Sequence, residues 1–253
     1  IKAEIGKPID AVFCGTDYLG TGRFESLYCP ESEVIYFDRS EVPVSSTSLR
    51  FDVYANWQYI PPICRPYYVK RVLIAGGEST GKSTLVQNLS IAYNTNFVRE
   101  IGRDTCDIAG GEDFMNMDDL CENFLKQKTE EIEAAYSSNR ILFIDTDAVT
   151  TKFYSHFLLK KKEEIQKCDA LADAVSGINR FDLVLFLEPT VSFVQDGTRN
   201  EEIAQDREKY SRGIKMLFDE AGMEYCCLGG DYLDRFNQAK KLIEEKFHIK
   251  TIW

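Results

Sequence analysis

Histidine is nearly missing from this chain. His156 and His248 are the only two among 253 residues, and neither belongs to a catalytic or metal-ligating pattern. Basic residues are also in deficit, with 30 Lys and Arg against 41 Asp and Glu, a formal net charge of -11. Like charge repels nucleic acid and anionic membranes, so a general binder of either is excluded, while a small phosphorylated ligand in a local positive pocket is not. No apolar run approaches membrane-spanning length, and no signal peptide is visible. Eight cysteines are scattered without CxxC or Cys/His ligand spacing, which points to free thiols in a reducing compartment, the cytoplasm. The guanine-specificity signature Asn-Lys-x-Asp is absent, against a GTPase switch.

What is present is concentrated in one stretch. Val72-Leu73-Ile74-Ala75 reads as a buried strand, and Gly76-Gly77-Glu78-Ser79-Thr80-Gly81-Lys82-Ser83-Thr84 fits the P-loop pattern at every fixed position. Leu85, Val86, Leu89 and Tyr93 then recur at helical spacing, so the motif lies between a strand and a helix. Glycines let the backbone wrap an anion, and the helix N-terminus aims free N–H groups at phosphate. Lys82 is expected to reach the β and γ phosphates and Ser83 to hold Mg²⁺. The segment binds a nucleoside triphosphate on this reading, with ATP and Mg²⁺ as the expected cofactors.

Three prolines in Pro61-Pro62-Ile63-Cys64-Arg65-Pro66 mark a boundary, giving regions 1–68 and 69–253. The second alternates strands (71–75, 96–100, 141–145, 182–187, 223–228) with helices (83–93, 118–136, 148–176 with a break, 201–220, 233–246). That pattern predicts an α/β fold, a parallel sheet flanked by helices, with ligands at the carboxyl ends of the strands. The first region offers strands at 11–14 and 33–37 after a short helical or frayed lead-in over 1–10. The chain opens on Ile1 and reads as a fragment of a longer protein.

Strand ends supply the chemistry. Ile141-Leu142-Phe143-Ile144-Asp145 is four apolar residues ending in acid, and an aspartate there can hold Mg²⁺ opposite Ser83. An aspartate capping the next helix is the plainer alternative, and it fits Asp147, two residues on, better than Asp145. Glu100 closes the second strand and is the first candidate to accept a hydroxyl proton, with Arg103 to steady substrate or phosphate. A surface ion pair would explain Glu100 and Arg103 equally well. The segment Phe193-Val194-Gln195-Asp196-Gly197-Thr198-Arg199 is placed where a lid would close, ahead of a helix carrying Arg207.

GGESTGKSTL at 76–85, Glu100-x-x-Arg103, FIDTDAVTT at 143–151, FVQDGTR at 193–199 and YLDRFNQ at 232–238 together resemble the nicotinamide riboside kinase domain of the bifunctional NadR-type proteins. Region 1–68 is similar to the C-terminal part of the Rossmann-like nicotinamide mononucleotide adenylyltransferase fused to that kinase. Ser45, Ser46, Thr47 and Arg50 would be the remnant of its late nucleotide-binding pattern, although Ser-Ser-Thr-Ser is also a common N-cap. That family's early histidine site has no counterpart here, since no histidine precedes 156. Adenylyl transfer by this chain alone is not expected.

The resemblance implies a P-loop kinase that phosphorylates nicotinamide riboside from ATP. Gly76 to Thr84 would cradle the triphosphate, and Asp145 with Ser83 would complete the metal site. Glu100 or Asp147 would take the 5′-hydroxyl proton, and Arg199 and Arg207 would neutralise the transition state. Phe193 and Asp196 would shape the nucleoside end. A different P-loop nucleoside kinase and a non-catalytic ATP sensor remain as alternatives, and the oligomeric state, homo-oligomer included, stays open.

Overall fold

The computed structural model describes every residue except 1–5, 29, 39, 42, 195–202, 204 and 253. The chain divides into two compact units, Ile1–Tyr59 and Ile60–Trp253. The break falls before the proline-rich segment, not at 68/69. Pro62–Tyr67 forms a 3₁₀ turn that packs on a long helix of the second unit and so belongs to it.

In the first unit, β1 (Ala11–Gly15) pairs in parallel with β2 (Glu33–Phe37), in register from Ala11↔Glu33 to Gly15↔Phe37. Helix α1 (Ser46–Phe51) follows, with Ser45 as its N-cap and a reciprocal Ser45–Ser48 capping box. The helical lead-in expected over 1–10 does not appear at 6–10, where Gly6 takes a positive φ and Pro8 follows.

The second unit holds a parallel five-stranded sheet, ordered β4-β5-β3-β6-β7. These strands are β3 (Lys70–Gly76), β4 (Phe97–Val98), β5 (Ile141–Asp145), β6 (Leu183–Leu187) and β7 (Cys226–Leu228). Each of the three central strands carries an apolar run, and Val72 to Ala75, Ile141 to Phe143 and Leu185 to Leu187 are fully shielded from solvent. That is the sequence form a strand takes when helices cover both faces. The edge strands are shorter than their apolar letters suggest. β4 stops at Val98 because Glu100 already caps the next helix.

Helices α2 (Lys82–Tyr93) and α8 (Tyr232–Phe247) pack together on the sheet. Helix α3 is Ile101–Ala109 and lies against α4 (Met117–Ser137). Helices α4, α5 (Ala148–Leu158) and α6 (Lys162–Ile178) pack on one another, and α7 (Arg207–Glu220) joins α5. The expected break within 148–176 falls at Leu159 to Lys161. Leu120, Phe124, Ala148, Cys168, Ala172 and Val175 form the core between α4, α5 and α6. Helix α7 starts at Arg207, later than the 201 expected, and Ile214 and Phe218 are its buried apolar residues, with Ile203 buried ahead of it.

Candidate active site

The P-loop leaves β3 at Gly76 and enters α2 at Lys82, as the letters require. Two glycines are demanded by the geometry. At Gly76, φ is +143° and an added Cβ would lie 2.8 Å from the Leu187 carbonyl oxygen. At Gly81, φ is +86° and a Cβ would lie 2.8 Å from the Tyr232 ring. Thr80 Oγ1 and Lys82 Nζ both donate to the Gly77 carbonyl, at 2.8 and 3.1 Å, which tightens the loop on itself.

Two guanidinium groups hold the loop from outside. Arg235, on α8 and 1% exposed, donates to the Thr80 carbonyl, and also to the Glu188 carbonyl at 2.7 Å and Thr190 Oγ1 at 2.8 Å. Arg207 donates to the Ser79 carbonyl at 3.0 Å and the Val191 carbonyl at 2.5 Å, and its guanidinium lies 5.7 Å from the Phe193 ring centre. With these carbonyls held back, the loop's amide hydrogens are left for an anion. Ser79 Oγ in turn accepts from the Val194 amide at 2.8 Å.

Asp145 ends β5 directly beside this loop and is 2% exposed. Burial and the nearby Glu100 carboxylate push its pKa up to about 6, while Lys82, a hydrogen bond from Ser83 and Arg103 pull the other way. A buried carboxylate this poorly compensated, bonded to a serine hydroxyl at the first turn of a P-loop helix, suits a hard cation carrying phosphate oxygens. Among the described residues no group of three His, Cys, Asp or Glu side chains could hold a metal. A Mg²⁺ held by one or two protein oxygens plus phosphates needs no such group.

Beyond the loop opens a cavity of about 110 Å³. Glu78, Ser79 and Lys82 line one end, Glu100 and Arg103 a wall, and Tyr154 with Met115, Leu120 and Leu158 the apolar remainder. Glu100 is the N-cap of α3 yet makes no side-chain capping bond. Its Oε2 sits 3.6 Å from Arg103, a loose ion pair. Burial, followed by Glu78, Glu100 and Glu112, drives the Tyr154 hydroxyl well above its ordinary pKa, so it stays a neutral donor. Cys106 also lines the cavity, and burial with Glu112 pushes it up to about 11, a thiol too basic to act as a nucleophile near neutral pH.

Sequence-derived candidates separate at this point. Lys82, Glu100 and Arg103 share the cavity, and Asp145 accepts from Ser83 and feels the charges of all three without lining it. Asp147 does not line it. Its Oδ1 caps α5, accepting from the Thr150 amide at 3.0 Å and the Thr150 hydroxyl at 2.8 Å, and Oδ2 is buried with no hydrogen-bond partner. Phe193 faces Arg207 and is not part of the cavity wall. Thr84 is exposed on α2. Asp196 and Arg199 lie outside the described residues. Ser45 is engaged in capping α1, while Ser46, Thr47 and Arg50 belong to that helix in the other unit. Arg235 and Tyr154 were not picked out as site residues by sequence. Both look like ordinary helix residues, and only the third-strand-to-last-helix crossing brings Arg235 under the loop.

The chain is similar to proteins already characterised. A family model described as an AAA domain matches residues 71–235. The trifunctional NAD biosynthesis/regulator protein NadR of Salmonella typhimurium is 32% identical over 220 residues, covering 85% of this chain and 52% of that protein. The chain thus spans about half the length of the curated relative it matches. Among solved structures, a NadR protein in complex with NR superposes with a TM-score of 0.75 at 24% identity, covering 96% of this chain and 70% of that one. A NadR protein in complex with NAD and AMP-PNP gives 0.72 at 25% identity, covering 87% and 61%. The P-loop between β3 and α2, the acid at the end of β5 and the match over 71–235 agree, and the chain belongs to the AAA domain family.

Proposed function

We propose that the second unit transfers the γ-phosphoryl group of ATP to the 5′-hydroxyl of nicotinamide riboside. The observation that carries this is the shared cavity, which sets the Glu100 carboxylate, loosely paired with Arg103 and making no capping bond, in one space with the P-loop lysine. A nucleotide-binding module without chemistry has no use for a base there. The likeness to NadR proteins solved with NR and with AMP-PNP supports the choice of ligands.

Phosphoryl transfer asks for alignment and charge neutralisation more than covalent help. The loop amides and Lys82 would hold the β and γ phosphates. Glu100 would accept the hydroxyl proton as the acceptor oxygen attacks, and Arg103 would steady substrate or phosphate beside it. Tyr154 and the acids around it, Glu78 and Glu112, give the cavity an aromatic wall and a negative potential, suited to a cationic pyridinium nucleoside. Ser83 and Asp145 would hold Mg²⁺, which would supply positive charge to offset that of the phosphates. The first unit, which ends at Tyr59 and not at 68, we read as adenylyltransferase-like, a reading supported by the structural likeness extending over 96% of the chain.

The test is ATP-dependent phosphorylation of nicotinamide riboside by this chain with Mg²⁺, beside uridine and cytidine. Product from nicotinamide riboside alone is expected. Turnover of the pyrimidine nucleosides would transfer the assignment to another nucleoside kinase, and ATP binding without any product would leave a sensor.

A further inference from the structure

We infer that Gln127 is a positioning residue of this site, one that sets the two acid-bearing strand ends relative to each other. The inference rests on the reading of Glu100 as the proton acceptor. Gln127 lies in the middle of α4 and is half-buried. Its Oε1 accepts from the Ile101 amide at 3.1 Å. Its Nε2 donates to the Asp145 carbonyl at 3.1 Å and to the Thr146 carbonyl at 3.4 Å. One end meets a donor and the other two acceptors, so only this orientation of the amide is satisfied.

Each bond falls beside a residue the chemistry needs. Ile101 opens α3, and its amide is among those that no helical carbonyl reaches. The residue at the cap position ordinarily offers its own side chain to such amides. Glu100 stands at that position and offers nothing. With Gln127 serving the Ile101 amide, the Glu100 carboxylate is left for the cavity. On the other side, the chain leaves β5 through Thr146 at φ +71°, a conformation costly for a branched residue, and Gln127 engages both carbonyls of that bend. One amide group therefore ties the β4–α3 junction to the β5–α5 junction.

Gln127 acts from behind. It lines a small cavity with Lys128, Glu131 and Asp147, not the one shared by Glu100 and Lys82. Its three hydrogen bonds are all to backbone, so its effect on the reaction would pass through the placement of Glu100 and Asp145. A misplacement of the order of 1 Å in such a site can cost about 10²-fold in rate.

The experiment compares Gln127→Met, which loses all three bonds, Gln127→Glu, which keeps the acceptor for Ile101 and loses both donors, and each combined with Glu100→Gln. Expected for Gln127→Met is a kcat lower by roughly 10- to 100-fold, with KM for ATP and for nicotinamide riboside within about 3-fold of the unmodified protein. Gln127→Glu should fall between the two. In the Glu100→Gln background the Gln127→Met loss should largely vanish, because the group being placed is already gone. A kcat within about 3-fold of normal in Gln127→Met, a loss matched by weaker ATP binding, or full additivity in the double variant would overturn the inference. Failure of both single variants to fold would make Gln127 a structural staple and overturn it as well. Lack of turnover by the unmodified chain, or a normal kcat in Glu100→Gln, would instead overturn the kinase or base reading on its own.

Discussion

The Arg235 guanidinium donates to the Thr80 carbonyl, so the last helix of the chain holds the loop that follows β3. Arg235 is buried, yet among the described residues it donates to no carboxylate. Its hydrogen-bond partners are two backbone carbonyls and one threonine hydroxyl. A planar fork with five donors can span three acceptors in this way, and an ammonium cannot. Arg235→Lys should therefore lower stability by about 1–3 kcal/mol and weaken ATP binding several-fold. Thermal melts with and without ATP check both; an unchanged ATP affinity would show that the loop keeps its shape unaided.

Lys82 is buried against the Gly77 carbonyl and sits at the junction of loop and cavity. Lys82→Ala should reduce kcat by about 10²- to 10³-fold, the scale set by losing one preorganised charge-stabilising group, while the melting temperature stays close to normal. Retained turnover would remove the lysine from the mechanism.

Glu100 and Asp147 divide cleanly. Glu100→Gln should lower kcat by about 10²- to 10⁴-fold. Asp147→Asn should leave kcat within about 3-fold, because asparagine caps a helix as well as aspartate does. Burial pushes the Asp147 pKa up, so the neutral amide should not destabilise the fold. A catalytic collapse in Asp147→Asn with normal Glu100→Gln would reverse the assignment.

Asp145 gives a pH dependence. Its folded pKa of about 6 lies above its ordinary value near 3.8, so the folded state holds the proton more tightly than the unfolded chain does. In the absence of metal and nucleotide, stability from this group is greatest at low pH and declines as pH rises through about 6. Asp145→Asn should accordingly melt higher than the unmodified apo protein at pH 7 to 8, by up to roughly 3 kcal/mol of relieved ionisation cost. The same variant should lose the Mg²⁺-dependent rise in melting temperature. An equal melting temperature across pH 5 to 8 for the two proteins would show that Asp145 is well compensated without metal.

Much of this was written locally. Gly76, Gly81, Lys82 and Ser83 are legible because a phosphate loop needs fixed glycine spacing between a strand and a helix, all within thirteen residues. Asp145 and Glu100 are legible because apolar runs announce where strands end. Arg235 and Gln127 are not, because a polar residue in a helix looks the same whether it faces water or a distant carbonyl. Asp147 stood between two meanings, and only its bonds to Thr150 separate them. Strand β4 is shorter than the letters suggest because Glu100 already stands at the N-cap position of α3 and Asn96 turns its side chain to Ser137.

The strand that carries the P-loop is the first of its sheet in sequence and the middle one in space. Val72 on β3 lies between Phe143 and Leu183, so each neighbour must return from far along the chain. During synthesis one flank of β3 stays open until β5 at 141–145 has emerged, and the other until β6 at 183–187 has. Assembly of this sheet is consequently governed by distant pairings and slow loop closures, which places a nearly uninterrupted apolar run at risk of meeting its own kind on another chain before its partners arrive.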